Sequence, residues 1–137
     1  MFDKLRKAFG AGHGRTGSQA KSEAATSQPP PIVDVTDADF GAVVEHSPHL
    51  AVVDFWADWC EPCRIMSAYM GFLASDYAGR VLVAALDVDE NPATAERFAV
   101  MGLPTLLLLK DGQEVGRIVG ITPYEQIKDQ VEAALHP

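Results

Sequence analysis

From Ile32 onward the chain alternates short apolar runs with stretches in which apolar residues recur every three or four positions. That alternation predicts strands interleaved with helices. Ile32-Val33-Asp34-Val35 reads as a short strand, and Thr36 followed by Asp39 is a capping-box spacing that opens a helix to about Glu45. Leu50-Ala51-Val52-Val53-Asp54-Phe55-Trp56-Ala57 is almost uninterrupted in its hydrophobicity, the pattern of a strand buried on both faces. A helix is expected from about Cys60 to Asp76, with Ile65, Met66, Tyr69, Met70 and Leu73 turned inward. Gly79-Arg80 leads into a strand over Val81–Val88. Pro92, after Asn91, suits a helix start, where its missing N–H costs nothing, and that helix runs to about Phe98. Thr105–Leu109 and Glu114–Val119 flank Asp111-Gly112, an Asp-Gly hairpin signal. Thr122 and Glu125 repeat the capping-box spacing before a last helix with Ile127, Val131, Ala134 and Leu135 inside. The order is βαβαβαββα: an α/β fold with a central mixed β-sheet flanked by helices on both faces.

The pattern divides the chain in two. Residues 32–137 form the domain. Residues 10–31 are rich in Gly, Ser, Ala, Gln and Thr and end in Pro29-Pro30-Pro31, the composition of a disordered linker with a stiff, extended end. Ahead of it, Phe2, Leu5 and Phe9 fall at helical spacing with Lys4, Arg6 and Lys7 among them. A short amphipathic helix over 2–9 that touches a membrane surface fits this spacing, but a frayed terminus fits better, because nine residues make a marginal helix in water. Residues 1–31 carry five Lys/Arg against Asp3 and Glu23, whereas the domain carries six against seventeen Asp/Glu. The net charge of −8 disfavours nucleic acid as a partner. No apolar stretch reaches the roughly 18 residues of a membrane span, and the start lacks the apolar stretch of a secretory leader. Acidic Asp3 and Glu23 disfavour an organelle transit sequence. A cytoplasmic, monomeric protein is the expectation.

The 47% hydrophobic content supplies a core without disulfide staples, so the two cysteines call for another explanation. Trp59-Cys60-Glu61-Pro62-Cys63 places them three residues apart, behind an apolar strand and at a helix start. Backbone N–H groups and the helix dipole there favour a thiolate at Cys60, the expected nucleophile. Cys63, one turn further in, is placed to resolve a mixed disulfide formed at Cys60. Zinc is the rival reading, since His46 and His49 add a His-x-x-His. The strand between the two pairs would span about 23 Å and hold them apart, which argues against a metal. Asp54 is the second anomaly: a carboxylate inside an apolar strand is costly unless paired, protonated or functional. Beneath the helix that carries Cys63 it would move a proton to or from that thiol. The plainer reading is an Asp that merely faces outward.

The segment Val53-Asp54-Phe55-Trp56-Ala57-Asp58-Trp59-Cys60-Glu61-Pro62-Cys63-Arg64 resembles the active-site segment of the thioredoxin family. Gly102-Leu103-Pro104-Thr105 resembles its second motif, in which the proline is cis and faces the cysteines. Asp87-Val88-Asp89-Glu90-Asn91-Pro92 and Gly120 also match, and the similarity covers about residues 32–135. It implies the thioredoxin fold and a protein disulfide reductase cycling between dithiol and disulfide, with no bound metal or organic cofactor. It further implies electrons from NADPH through a flavin-containing thioredoxin reductase, and disulfide-containing client proteins as partners. Trp59, Pro62, Gly102, Leu103, Pro104 and Gly120 would form the client-binding patch, with the Leu103 backbone pairing the client as an added strand.

Three positions depart from the family pattern. Glu61 stands where glycine is usual, adding a carboxylate beside the nucleophile. It disfavours the Cys60 thiolate and favours the disulfide, partly offset by Arg64. Ala85 stands where a basic residue often accompanies the buried Asp, and Ala68 where a proline usually kinks the active-site helix. A binding module of the same fold is disfavoured by the intact Trp-Cys-x-Pro-Cys with Pro104. An exported oxidising relative is disfavoured by the missing leader and the Glu-Pro dipeptide.

Overall fold

β2 (Leu50–Trp56) runs through the middle of a five-stranded sheet in the computed structural model, which describes residues 32–137. The linker and the helix expected over 2–9 lie outside the described residues. The strand order is β1-β3-β2-β4-β5, with β1 (Val33–Asp34), β3 (Val81–Asp87), β4 (Thr105–Lys110) and β5 (Gln113–Val119). β3 pairs parallel with β1 and β2, and β4 pairs antiparallel with β2 and β5. The helical segments are α1 (Gly41–Glu45), α2 (Glu61–Asp76), α3 (Pro92–Arg97) and α4 (Tyr124–Leu135). The expected element order and mixed sheet are found.

Alternation along β2 builds two cores. Ala51, Val53 and Phe55 join Val35, Phe40, Val44, Ala84, Leu86, Ala95, Leu107 and Leu109 on the α1/α3 side. Leu50 and Val52 join Met66, Met70, Leu73, Val83, Leu106, Leu108, Ile127 and Val131 on the α2/α4 side. Burial on both faces is what the continuous apolar run demands. The β4–β5 turn is Asp111-Gly112, with φ of 53° and 78°, the left-handed pair that a two-residue hairpin needs.

Several local expectations are corrected. The Thr36–Asp39 capping box forms, with the Thr36 amide donating to Asp39 Oδ1 at 2.7 Å and the Asp39 amide to Thr36 Oγ1 at 3.3 Å. It does not open an α-helix to Glu45. The segment winds into a single π-turn whose His46 amide reaches the Gly41 carbonyl at 3.1 Å. Gly41 and the β-branched Val43-Val44 supply little α-helical propensity to oppose that widening. Ile65 is not inward: it is 50% exposed, because Cys63, Met66, Met70 and Leu73 already fill the buried stripe and Ile65 falls about 100° to its side. Thr122 does not cap α4. Its hydroxyl donates to the Gly120 carbonyl at 3.3 Å, and Pro123 takes the cap position.

One long-range cap was not anticipated. The Asp37 carboxylate accepts the amides of Ala93 at 3.1 Å and Thr94 at 2.8 Å, closing the N-terminal turn of α3. The Asp37 amide in turn donates to Asn91 Oδ1 at 2.9 Å, tying the chain after β1 to the start of α3.

Candidate active site

Cys60 is the N-cap of α2, with extended backbone (φ −91°, ψ 107°), and Pro62 lies in the first turn. That turn leaves amides without intrahelical partners, so a proline there removes no hydrogen bond. The cap geometry brings Cys60 and Cys63 to a Cα separation of 5.3 Å, and the two are joined as a disulfide. The Cys63 amide donates to the Cys60 carbonyl at 3.2 Å. Both cysteines are buried, packed with Ala57 against Trp56, Val88 and Leu103. Trp59 is 71% exposed at the rim, where its indole Nε1 donates to Asp89 Oδ2 at 3.0 Å. Glu61 and Arg64 face solvent on the first turn, 3.9 Å apart.

The loop before β4 meets this pair. The Leu103-Pro104 peptide is cis, Leu103 packs on the cysteine cluster, and Pro104 is buried. Thr105 Oγ1 donates to the Gly102 carbonyl at 2.6 Å, and the Gly120 amide donates to the Pro104 carbonyl at 2.8 Å. Gly120 has φ of 86°, a left-handed conformation that favours glycine. The Leu103 backbone makes no hydrogen bond among the described residues. Beside this loop Met101, 94% exposed, and Ile121 extend the apolar rim, and the sequence reading missed both. Their adjacency to Gly102 and Gly120 was the available signal.

Asp54 lies on the α2/α4 face of β2, alternating with Val53 and Phe55, which are buried in the α1/α3 core. It is 2% exposed, and its Oδ1 has no hydrogen-bond partner. Burial alone pushes its carboxyl up to about 7 from an ordinary 3.8. A cavity of about 270 Å³ opens beside it, lined by Asp34, Trp56, Ser67, Met70 and Ala85. Trp56 and Ser67 also line the neighbouring cleft of about 480 Å³ that reaches Cys63 and Arg64. The carboxylate and the inner cysteine therefore open onto adjoining spaces on either side of Trp56. Trp56 had been read only as a strand residue, because its place between the two spaces depends on strand register.

The histidines are not part of this arrangement. His46 and His49 are exposed before β2, while the cysteines follow it. No group of three or more His, Cys, Asp or Glu among the described residues could hold a metal ion.

Comparison with known proteins agrees with this geometry. The family model described as Thioredoxin matches residues 31–133. Thioredoxins of Staphylococcus aureus strains Mu50 and MW2 are each 47% identical over 104 residues, covering 76% of this chain and 98% of the relative.

Proposed function

The chain belongs to the thioredoxin family, and from that premise we propose how its residues divide the work of reducing client protein disulfides. Its activity is that of a thiol–disulfide oxidoreductase with a redox-active Cys60–Cys63 disulfide. In the reduced form the Cys60 thiolate attacks one sulfur of a client disulfide, forming a mixed disulfide and releasing one client thiolate. Asp54 accepts the proton of Cys63, and the Cys63 thiolate attacks Cys60 Sγ. That step closes the disulfide and releases the second client thiolate. Two electrons pass to the client.

The observation that carries this reading is the disulfide at the start of α2 beside the Leu103-Pro104 loop and above a buried, unpartnered carboxylate. A carboxyl with a pKa near 7 exchanges protons readily at neutral pH, which supports Asp54 as the proton acceptor. Trp59, Pro62, Gly102, Leu103, Pro104 and Gly120 receive the client, and the unpaired Leu103 backbone supports strand addition there. Glu61 and Arg64 tune the Cys60 thiolate. The oxidised pair is returned to the dithiol by a flavin-containing thioredoxin reductase drawing on NADPH, and the protein itself holds no bound cofactor. The reading includes a cytoplasmic monomer that does not bind nucleic acid. No helix among the described residues is long and apolar enough to cross a membrane.

Insulin reduction with NADPH and thioredoxin reductase tests the assignment. The intact chain turns over, and Cys60→Ser does not; equal rates for the two would sink the reading. Residues 1–31 supply no group to the reacting sulfurs in this account, so cutting after Pro31 should change the rate little.

A further inference from the structure

We propose that the cavity beneath Trp56 is a subsite for one basic side chain, an alkylammonium or guanidinium received between Asp54 and Asp34. The strand register creates it. Asp34 and Asp54 are both Cα partners of Ala85, so the three side chains stand in a row on one face of β1, β3 and β2. The middle member is a methyl group. Two carboxylates thus flank a space that the intervening residue leaves open, about 270 Å³, room for roughly nine waters at liquid density.

The chemistry of the lining selects a cation with an apolar stem. Asp54 lines the cavity, and its buried Oδ1 has no hydrogen-bond partner, so nothing among the described residues offsets a charge on this carboxylate. Asp87 and Glu90 line the adjoining space with Asp34 and add charge of the same sign. Arg64, the cation in the neighbouring Cys63 cleft, is exposed and lies 3.9 Å from Glu61. Ile32, Met70 and the Trp56 indole supply surface for a methylene stem and a ring for the charged head. Water could satisfy the hydrogen bond, but a cation would in addition stabilise the ionised carboxylate against protonation.

Two sources share this chemistry. Ile32 lines the cavity, so residues 1–31 join the domain at its edge with Lys4, Arg6, Lys7, Arg15 and Lys21. Lys21 precedes Ile32 by eleven positions, a reach of up to about 36–40 Å if extended. A lysine or arginine near a client disulfide is the other source. In the mechanism above, either would hold Asp54 in its base form and couple removal of the Cys63 proton to occupancy.

The test reads the resting, oxidised protein. The full chain, with Lys4, Arg6, Lys7, Arg15 and Lys21 replaced by Gln, is labelled with ¹³C at its aspartate carboxyl carbons. It is titrated by NMR in n-butylammonium or methylguanidinium chloride against KCl of equal ionic strength. The Asp54 midpoint should fall by about one pH unit or more in the organic cations. The response should weaken several-fold in Asp34→Asn and disappear in Ala85→Lys, whose own ammonium takes the space. Identical curves in organic cation and KCl overturn the proposal, as does a full response retained in both variants. Restoring the five arm cations then distinguishes the sources. A midpoint lowered in KCl alone identifies the arm; an unchanged midpoint, with the cation response intact, identifies the client. No turnover is measured, so failure here leaves the reductase reading standing, and failed insulin reduction would leave the subsite standing.

Discussion

The two faces of β2 are one residue apart in register and differ in almost everything else. Val53 and Phe55 on the α1/α3 side pack in a core with Phe40, Val44, Leu86 and Leu107. Val52 and Asp54 on the α2/α4 side begin in the same kind of core, and that core ends at a cavity and a carboxylate. A single strand therefore fills one core with its odd positions and with its even ones runs from the other core to a titratable group at a cavity. A one-residue slip would exchange the two roles, so the register is fixed by both at once. On the dry face the buried polar residue paired with β2, Thr105, has its hydroxyl satisfied by the Gly102 carbonyl. On the other face Asp54 is buried with Oδ1 unpartnered, and its carboxyl is pushed up to about 7, the condition the proposed proton transfer at Cys63 would use.

The largest effect should come from opening the dry face. Phe55→Ala is expected to lose about 3–5 kcal/mol, the transfer and cavity terms of a buried phenyl ring. Urea denaturation should show that loss equally at pH 4 and pH 8. A pH-dependent loss would mean that the two faces are coupled.

Asp54→Asn probes the other face with the opposite sign. The Asp54 carboxyl is raised in the fold, so between about pH 3.8 and 7 the folded state binds more protons than the unfolded one. Stability therefore falls as pH rises through that window, and the penalty is complete above about pH 7. The variant should be more stable by about 2–4 kcal/mol at pH 8 and nearly unchanged at pH 4. Insulin reduction should meanwhile slow by about 10²-fold, the usual contribution of a positioned base. Lost stability at pH 8 would contradict the account of Asp54 as a costly functional group.

Thr105 is where the dry face turns polar as it reaches the site. It pairs with Phe55 across β2 and β4, is buried, and donates to the Gly102 carbonyl at 2.6 Å. Thr105→Val keeps the shape and removes the donor, so about 1 kcal/mol should be lost in thermal denaturation. KM for an insulin client should rise more than kcat falls, since the bond steadies the receiving loop rather than the sulfurs.

What could be read from the chain follows from this division. The strands were legible because burial on both faces writes an unbroken apolar run, and Asp54 was legible because it interrupts one. The Asp111-Gly112 turn was legible because few residues accept two left-handed conformations in succession. Ile65 was misplaced because an apolar residue beside a buried stripe looks like part of it until the helix is docked. Thr122 had the spacing of a cap, but Gly120, left-handed to close on Pro104, offered its hydroxyl a nearer carbonyl. The Asp34–Ala85–Asp54 row joins residues from three strands through pairing register, which no local pattern encodes.

The smallest effect should come from Glu61, which belongs to neither face. Its side chain is 88% exposed and that of Arg64 74%, so their contact is worth only tenths of a kcal/mol to stability. Glu61→Gln should leave the denaturation midpoint almost unchanged. Its proposed influence is on the reacting sulfur. A like charge on the adjacent residue, facing water, interacts with a thiolate by roughly half a kcal/mol. Removing the like charge should raise the Cys60 thiolate fraction by about threefold at neutral pH and make alkylation by iodoacetamide faster by the same factor. Because the thiolate belongs to the reduced form, the variant should also become slightly less reducing, by at most roughly 13 mV for a two-electron couple, the limit reached where the thiolate predominates. Both changes should fade in 1 M salt, where the screening length is about 3 Å. A shift that survives high salt would mean that Glu61 acts through the shape of the first turn of α2, and the electrostatic account of this position would have to be given up.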